Sequence, residues 1–364
     1  MTCLVNALAE PADPTVLIFD DYHTINLQAI HEAIAFLLDH MPVHMHIAMT
    51  TRADPPLPLA RLRARVALAE VRAADLRFTH DETSDLFQRT HNIQLPLDAM
   101  ASLEARTEGW AAGLQLAGLS LQHQDAAHMP GFLADFTGSH TYVFDYLADE
   151  VFQRQAASVQ LFLMQSAILP RLCGALCSAV TGQHDAQTML EQLDKANLFL
   201  VALDNRRHWY RYHQLFRDFL YNCLHRAVGS TGIAALHRRA SAWFEQNGLA
   251  GEAVEHALSA QAWDDAARCL APLMADQRFY EYFLDWPRWS DAFPDEVLQA
   301  NLELCLRLAR ILILTGHIEH ADRPLGLAEA IWQAAGDQAR LAEVDSYRAL
   351  ALALRQDLTQ AITL

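Results

Sequence analysis

At 364 residues the chain is too long for one ordinary domain, and its 52% of hydrophobic residues suffices for about two to four domains with packed cores. The formal net charge of −17, from 27 Lys and Arg against 44 Asp and Glu, repels phosphate backbones and argues against direct binding of nucleic acid. Six cysteines in so long a chain are not a disulfide framework. The sequence also contains neither a secretory signal nor an apolar run of membrane-spanning length. We therefore predict that the protein does not contact a membrane and is located in the reducing cytoplasm.

The first predicted element is a strand, VLIFDDYH, which follows Pro14 and runs from Val16 to His23. Four apolar residues lead into adjacent carboxylates, Asp20 and Asp21, at the strand end where open α/β folds hold ligands. Such a run is typical of a strand buried on both faces. In a P-loop nucleotide hydrolase this would be the Walker B strand, but the eight residues alone slightly favour a strand end whose aspartate caps the next helix.

Alternating helices and strands follow this first strand. Apolar residues at helical spacing predict a helix from Leu27 to His40, and the sequence HMHIAMTTR predicts a second strand that ends near Arg52. A short helix is expected around residues 59–65 and a third short strand near residues 68–71. Strands and helices in this order indicate part of a doubly wound sheet.

From Thr79 onwards the pattern becomes helical. Thr79 and Glu82 are spaced as a capping box, and TEGWAAGLQLAGLSL predicts a helix whose small residues let a neighbour pack closely. Further along, helices precede two apolar runs, residues 198–203 and 208–212, on either side of the polar turn DNRR. Two such runs predict a β-hairpin, and helices combined with a hairpin indicate a winged-helix domain.

After Gly229 the chain is predicted to be helical and weakly repetitive. An alanine follows a turn residue after five positions in the pairs Gly248 and Ala253, Ala262 and Ala267, Gly316 and Ala321, and Gln356 and Ala361. Helical hairpins with glycine at the turn and alanine at the close contact are typical of an α-solenoid.

Four segments together carry a resemblance to a known family: LIFDDYHTI, TTRADPPLPLARLRAR, EGWAAGLQLAGLSL and NLFLVALDNRRHWYRYHQLF. In this order they resemble the MalT-like, LuxR-type transcriptional regulators, which belong to the STAND class of signal-transducing P-loop ATPases. The resemblance implies a mainly α fold with a partial P-loop α/β sheet, a helical domain, a winged helix and TPR-like α-solenoid repeats. The implied domains are residues 1–78 for the partial ATPase sheet, 79–140 for the helical domain, 141–228 for the winged helix and 229–364 for the repeats.

The resemblance assigns roles to the polar residues at the strand ends. Asp20 and Asp21 match the Walker B pair, in which Asp20 would hold Mg²⁺ and Asp21 would orient the attacking water. We expect this pair to be vestigial here. Arg52 of TTR matches a sensor arginine near the γ-phosphate, with an ordinary charge at a strand end as its alternative.

Three further residues match positions that contact nucleotide in the family. Gly109 and Trp110 match a helical-domain motif close to the base, although a tryptophan at such a position is more often part of a core. His213 of RYHQLF matches the winged-helix histidine that closes the site over the β-phosphate in the ADP state. Its alternative is a core histidine that donates one ring N–H to a backbone carbonyl.

Two parts of that family are missing from the sequence as given. The 364 residues contain no G-x-x-x-x-G-K-[ST] loop and no helix-turn-helix domain with a basic recognition helix. The loop supplies the amides and the lysine that cradle the phosphates. We therefore expect ATP, ADP and Mg²⁺ to be ligands of the parent family that this chain alone does not bind tightly, and we expect no ATP hydrolysis.

Three functions remain open at this point. The first, which we favour, is a MalT-like regulator truncated at both ends, whose remaining role is to bind an inducer or a protein through its helical repeats. The second is an intact ATPase switch whose loop comes from a separate chain or an upstream start. The third is a free-standing helical-repeat adaptor for a protein partner. Because the sheet lacks its neighbours, we also expect exposed apolar strand residues and a tendency to self-associate.

Overall fold

The structure is a computed structural model that describes residues 14–25, 27–121, 137, 140–275 and 277–355, apart from the side chains of residues 275–279. The predicted mainly α fold is confirmed. The chain divides into two compact units, the first with residues up to 174 and 185–223 and the second with residues 175–184 and 224 onwards. Of the helices that the structure describes, none is both long and apolar enough to cross a membrane.

The first unit contains every strand that the structure describes. Its strands are β1 (Thr15–Phe19), β2 (Met45–Met49), β3 (Leu200–Ala202) and β4 (Tyr210–Tyr212). Its helices are α1 (Gln28–His40), α2 (Leu59–Ala64), α3 (His80–Leu86), α4 (Leu97–Thr107), α5 (Ala111–Leu121), α6 (Thr141–Leu147), α7 (Ala157–Ser166) and, after the residues that belong to the second unit, α9 (Ala186–Lys195). Single π-helical turns extend α3 through Phe87–His91 and α6 through Ala148–Phe152.

The second unit is helical throughout its described residues. Two helices are shared by both units along the chain, α8 (Gly174–Thr181) and α10 (Gln214–Gln246), and α10 bends at Gly229, whose φ is +64°. The remaining helices are α11 (Ala250–Ser259), α12 (Trp263–Ala275), α13 (Trp286–Ala292), α14 (Asp295–Ala300), α15 (Leu302–Leu314), α16 (Ile318–Ala335) and α17 (Gln338–Leu354). A 3₁₀ segment, Gln277–Tyr282, lies between α12 and α13.

Strands β1 and β2 form a parallel pair in which Thr15 lies opposite Met45. The expectation that β1 is buried on both faces is wrong, since Val16 and Ile18 are 57% and 68% exposed. The reason is that β1 has a single strand neighbour among the described residues, whereas parallel strands are normally covered on both faces. The related expectation of exposed apolar side chains on this strand is thereby confirmed.

The third strand expected near residues 68–71 is also wrong, because these residues adopt no regular secondary structure. Ion pairs hold the segment instead. Glu70 accepts hydrogen bonds of 2.7 and 2.8 Å from the guanidinium of Arg63 and also pairs with Arg72, which reaches Asp54 at 2.5 Å. Apolar residues here suggested a strand, but no strand in the described part of the chain pairs with them.

The helices after Thr79 agree with two local predictions. The capping box is present, because the Thr79 hydroxyl accepts from the backbone N–H of Glu82 while the Glu82 carboxylate accepts from that of Thr79 at 2.9 Å. Helix α5 also packs closely through a small residue. A Cβ added to Gly118 would lie 2.2 Å from Nε2 of His91, so a larger residue here would displace the His91 ring.

The predicted hairpin of the winged helix is formed by β3 and β4, which pair antiparallel with Leu200 opposite Tyr212. Asp204 organises its turn, since the carboxylate accepts hydrogen bonds of 2.9 to 3.0 Å from the backbone N–H groups of Arg206, His208 and Trp209. These bonds satisfy amides that no strand partner reaches and lower the pKa of Asp204, against a smaller opposing effect of burial.

In the second unit, two of the predicted turn pairs have the expected form. Gly248 and Gly316 adopt φ values of +74° and +81°, which favour glycine. The alanines that follow them, Ala253 and Ala321, are fully buried at the contact between successive helices. Gly248 lies between α10 and α11, and Gly316 lies between α15 and α16, so each glycine turns the chain between two successive helices.

The other two pairs have different outcomes. After Ala262 the buried contact residue is Ala266, whereas the predicted Ala267 is only half-buried, because α12 begins at Trp263 and turns Ala266 towards the core. The pair of Gln356 and Ala361 lies outside the described residues.

Candidate functional site

The carboxylates Asp20 and Asp21 lie at the carboxyl end of β1, as the sequence predicts, and Thr50 at the end of β2 binds both residues. The Thr50 hydroxyl donates to Oδ1 of Asp20 at 2.5 Å and accepts from the backbone N–H of Asp21 at 2.9 Å. Neither aspartate caps α1, whose N-cap position is Leu27 and has no side-chain cap. Both carboxylates are exposed, and Asp21 adopts a left-handed conformation with φ of 49°.

A magnesium ion at Asp20 requires further ligands. Mg²⁺ commonly takes one or two carboxylates from a protein and completes its octahedron with water and substrate phosphates. In the described part of the chain no three His, Cys, Asp or Glu side chains come together in a way that would hold a metal. The described residues therefore do not fit a magnesium ion by themselves, and Asp20 offers at most one ligand to an ion that phosphates already hold.

Arg52 contacts two residues of the predicted winged-helix domain, residues 141–228. Its carbonyl oxygen accepts a hydrogen bond of 2.8 Å from Nδ2 of Asn197, and its guanidinium lies 3.7 Å from the carboxylate of Glu150. Both the guanidinium and Glu150 are partly exposed, so this pair is weak. Arg52 thus connects the end of β2 to the α6 region and to the loop before β3.

A tight turn between α4 and α5 positions Gly109 and Trp110. Glu108 and Gly109 both have positive φ values, of 49° and 71°. A Cβ at Gly109 would lie 2.6 Å from the carbonyl oxygen of Phe78, while the Gly109 carbonyl accepts from the Phe78 N–H at 2.9 Å. Glycine is therefore required here by both conformation and space.

The Trp110 side chain lies in a cluster of rings that includes His213. Its ring centroid is 5.0 Å from that of Phe199, 5.7 Å from that of Tyr146 and 5.9 Å from that of His213. The indole is half-buried. The structure thus brings two of the predicted residues, Trp110 and His213, into direct contact across helices that are distant in sequence.

His213 is held by the same turn and is 5% exposed. Its Nε2 lies 2.9 Å from the carbonyl oxygen of Thr107, so Nε2 carries the proton and donates it. The other nitrogen, Nδ1, is buried and has no hydrogen-bond partner in the described part of the chain. Burial lowers the pKa of His213, and the nearby Glu108 carboxylate opposes this effect. The core-histidine alternative therefore accounts for one ring nitrogen and leaves the other unexplained.

The bidentate ion pair of the site, between Glu108 and Arg211, was not among the residues predicted from the sequence. Glu108 accepts hydrogen bonds of 2.7 and 2.8 Å from the two terminal nitrogens of Arg211, and the backbone N–H of Gln214 donates to the same carboxylate at 3.1 Å. Burial raises the pKa of Glu108, but Arg211, His213 and Gln214 outweigh it and bring the value to about 2. Glu108 and Arg211 are 103 positions apart, so no local pattern could reveal the pair.

Five of the six predicted residues therefore fall into two groups within the first unit. Asp20 and Asp21 share Thr50 at the ends of the parallel strands. Gly109, Trp110 and His213 share the turn after α4, which Glu108 and Arg211 join to the start of α10. Arg52 follows β2 but contacts Asn197 and Glu150 instead of either group.

Comparisons with known proteins agree on part of this organisation. Residues 148–231 match the family described as the MalT winged-helix domain. The serine/threonine-protein kinase PknK of Mycobacterium tuberculosis is 33% identical over 368 residues, which cover 96% of this chain and 32% of that protein. The HTH-type transcriptional regulator MalT of Klebsiella pneumoniae is 35% identical over 255 residues, which cover 70% of this chain and 28% of that protein.

The chain thus spans about a third or less of the length of these curated relatives. Among solved structures, a signal transduction ATPase with numerous domains (STAND) that has a tetratricopeptide repeat sensor, from Pyrococcus horikoshii, has a TM-score of 0.42 and 18% identity. The alignment covers 96% of this chain and 48% of that one. A likeness of this size carries no argument about function.

Proposed function

Because this chain belongs to the MalT-like family, we propose that it is the switch segment of a larger ATP-dependent regulator, in which the winged helix reports the state of a bound nucleotide. The observation that carries this proposal is the clasp formed by two contacts: His213 on Thr107, and Arg211 on Glu108. The clasp joins the turn beside Trp110 to the start of α10, so a ligand bound at Trp110 would affect the positions of both the turn and α10.

The proposed roles follow the positions of the residues. Asp20 would contribute one carboxylate to a phosphate-held Mg²⁺, and Asp21 lies beside it at the same strand end. Trp110 would stack on a base, with Gly109 holding the turn, and His213 has one buried nitrogen without a hydrogen-bond partner among the described residues. Arg52 would need to leave Glu150 to reach a phosphate. Since the 364 residues include no phosphate-binding loop, we propose that this chain alone neither holds ATP or ADP tightly nor hydrolyses ATP.

The output of the switch is a separate matter. MalT is named as a transcriptional regulator and PknK as a protein kinase, and both contain a segment similar to this chain. We propose transcriptional regulation, because the family that residues 148–231 match is described as the MalT winged-helix domain. The second candidate is control of a kinase, which the 96% coverage by PknK favours. In either case the helical repeats would bind the inducer or a protein partner; a free-standing adaptor role is the remaining alternative.

The test compares two buried histidines in the full-length protein. His213→Ala should weaken retention of ADP by about tenfold or more and raise basal output, since one hydrogen bond to a charged group contributes roughly 1.5–3 kcal/mol. His91→Ala is the control, because His91 is equally buried and contacts α5 away from the clasp. It should lower only the melting temperature. If both variants lose ADP and stability to the same extent, His213 is a core residue and the proposal is wrong.

A further inference from the structure

A second cleft lies on the winged-helix part of the first unit and includes none of the residues discussed as nucleotide contacts. Its volume is about 580 Å³, which is within the range of small-molecule sites. One wall is formed by α10 and the other by the end of α7 and the residues after it. The lining residues that matter below are Arg106, Ile168, Pro170, Gln214, Arg217 and Tyr221.

The α10 wall is a stripe of polar side chains. Gln214, Arg217 and Tyr221 recur at positions i, i+3 and i+7, so they share one face of the helix. The opposite wall is apolar at Ile168 and Pro170. A polar stripe that faces an apolar wall across an open cleft has the composition of a ligand site, in which a few polar groups set orientation and apolar contacts supply area.

Arg217 is the unusual member of this stripe. Six arginines in the described part of the chain are half-buried, and the other five have an interaction partner; they are Arg106, Arg171, Arg211, Arg323 and Arg348. The guanidinium of Arg217 has no hydrogen bond, ion pair or ring contact with any described residue. A guanidinium that loses water on folding without gaining a counter-ion lowers the stability of the folded state, so its presence here calls for an explanation.

The local charge points to an anion as that explanation. Arg217 brings a positive charge without a partner to the lining, whereas Arg106 and Asp218 each have a partner of their own. This unpaired charge occurs in a chain with a net charge of −17. A planar guanidinium presents paired donors that match two oxygens of one phosphate or carboxylate.

We propose that this cleft binds the phosphate group of a small molecule, with Arg217 as the principal contact and Gln214 and Tyr221 as neighbouring hydrogen-bonding groups. The inference does not depend on a nucleotide at Trp110 and His213. Binding would supply the counter-ion that Arg217 lacks and would place the rest of the molecule against Ile168 and Pro170.

The experiment titrates the chain with inorganic pyrophosphate by isothermal calorimetry at low ionic strength. The expected result is saturable binding at one site, weakened about tenfold or more by Arg217→Gln, because charge-assisted hydrogen bonds are lost. Arg217→Lys should bind pyrophosphate with intermediate affinity, since lysine keeps the positive charge but lacks the paired donors of the planar guanidinium. Arg238→Gln removes an exposed arginine from the same helix outside the cleft and should leave the affinity unchanged.

A second readout separates a binding role from a structural one. Without ligand, the melting temperature of Arg217→Gln should equal or exceed that of the wild type, because an unpaired half-buried charge has been removed. Four results would each overturn the proposal: no saturable binding up to roughly 10 mM, an equal loss in Arg238→Gln, tighter binding of succinate than of pyrophosphate, or a clearly lower melting temperature of ligand-free Arg217→Gln.

Discussion

The pair of Glu108 and Arg211 gives the sharpest prediction about the clasp. In Glu108→Gln the side chain keeps its size but leaves Arg211 without its counter-charge. The carboxylate is 12% exposed, and its pKa falls from 4.5 to about 2 in the folded chain. At about 1.4 kcal/mol for each tenfold change in proton affinity, this corresponds to roughly 3 kcal/mol of stabilisation. Because Arg211 is a third exposed and partly screened, we expect a loss of about 2–3 kcal/mol at pH 7.

The pH dependence gives the prediction a sign. The pKa of Glu108 is lower in the folded chain than in the unfolded chain, so its carboxylate stabilises the folded state fully above pH 4.5. This stabilisation is lost as the pH falls towards about 2. The difference between wild type and Glu108→Gln should therefore shrink by about half at pH 3. Urea unfolding at pH 7 and pH 3 measures it, with hydrogen exchange of peptides from the first unit as the local readout.

Glu150→Gln serves as the matched control. Glu150 also pairs with an arginine, Arg154 at 2.6 Å, but its side chain is 38% exposed, so the change should cost about 0–1 kcal/mol. A cost for Glu108→Gln no larger than that of the control would refute the reasoning. A cost that stays the same at pH 3 would refute it as well, since the carboxylate would then not be the source of the stability.

Three further predictions concern the first unit and its chemistry. Gly109→Ala should destabilise the chain by about 1–3 kcal/mol, because an alanine would be strained at φ of +71° and its Cβ would meet the Phe78 carbonyl. The control is Gly326→Ala in α16, where the added Cβ meets nothing within 4 Å. In thermal melts this control should be neutral or stabilising. Limited proteolysis should remove residues before about 79 first, and β1, with Val16 and Ile18 exposed, should exchange amide hydrogens faster than β3 and β4; equal protection would mean that the strands have another cover. The chain should show no multiple-turnover ATP hydrolysis; turnover that Asp20→Ala abolishes would contradict this.

Predictions from the sequence succeeded where neighbouring residues decide the structure. The capping box of Thr79 and Glu82 and the turn at Asp204 depend on hydrogen bonds that span two to five positions. The glycines before Ala253 and Ala321 likewise act within one helical turn. Such patterns are legible because the interacting atoms are close in the chain whatever the rest of the protein does.

The failures have the opposite cause. The segment 68–71 has the apolar residues of a strand, but a strand exists only if another one pairs with it, and here Arg63 and Arg72 hold Glu70 instead. The pair of Glu108 and Arg211 depends on two elements meeting in space, and neither residue stands out from its surroundings in the sequence. Gly109, Trp110 and His213 were predicted from the sequence, and the structure places them around one turn, but the charges that hold this turn were not predicted.

The hydrogen bond from His213 to Thr107 also determines what kind of partner the remaining ring nitrogen can accept. Because the Nε2 proton is donated to a carbonyl, the neutral imidazole carries a lone pair and no proton at Nδ1. An ionised phosphate oxygen likewise presents only lone pairs. Two lone pairs repel, so an anion can settle against Nδ1 only if the ring takes up a proton as the anion arrives. Nucleotide occupancy at this histidine would then be linked to proton uptake, and the enthalpy of binding would vary with the ionisation heat of the buffer.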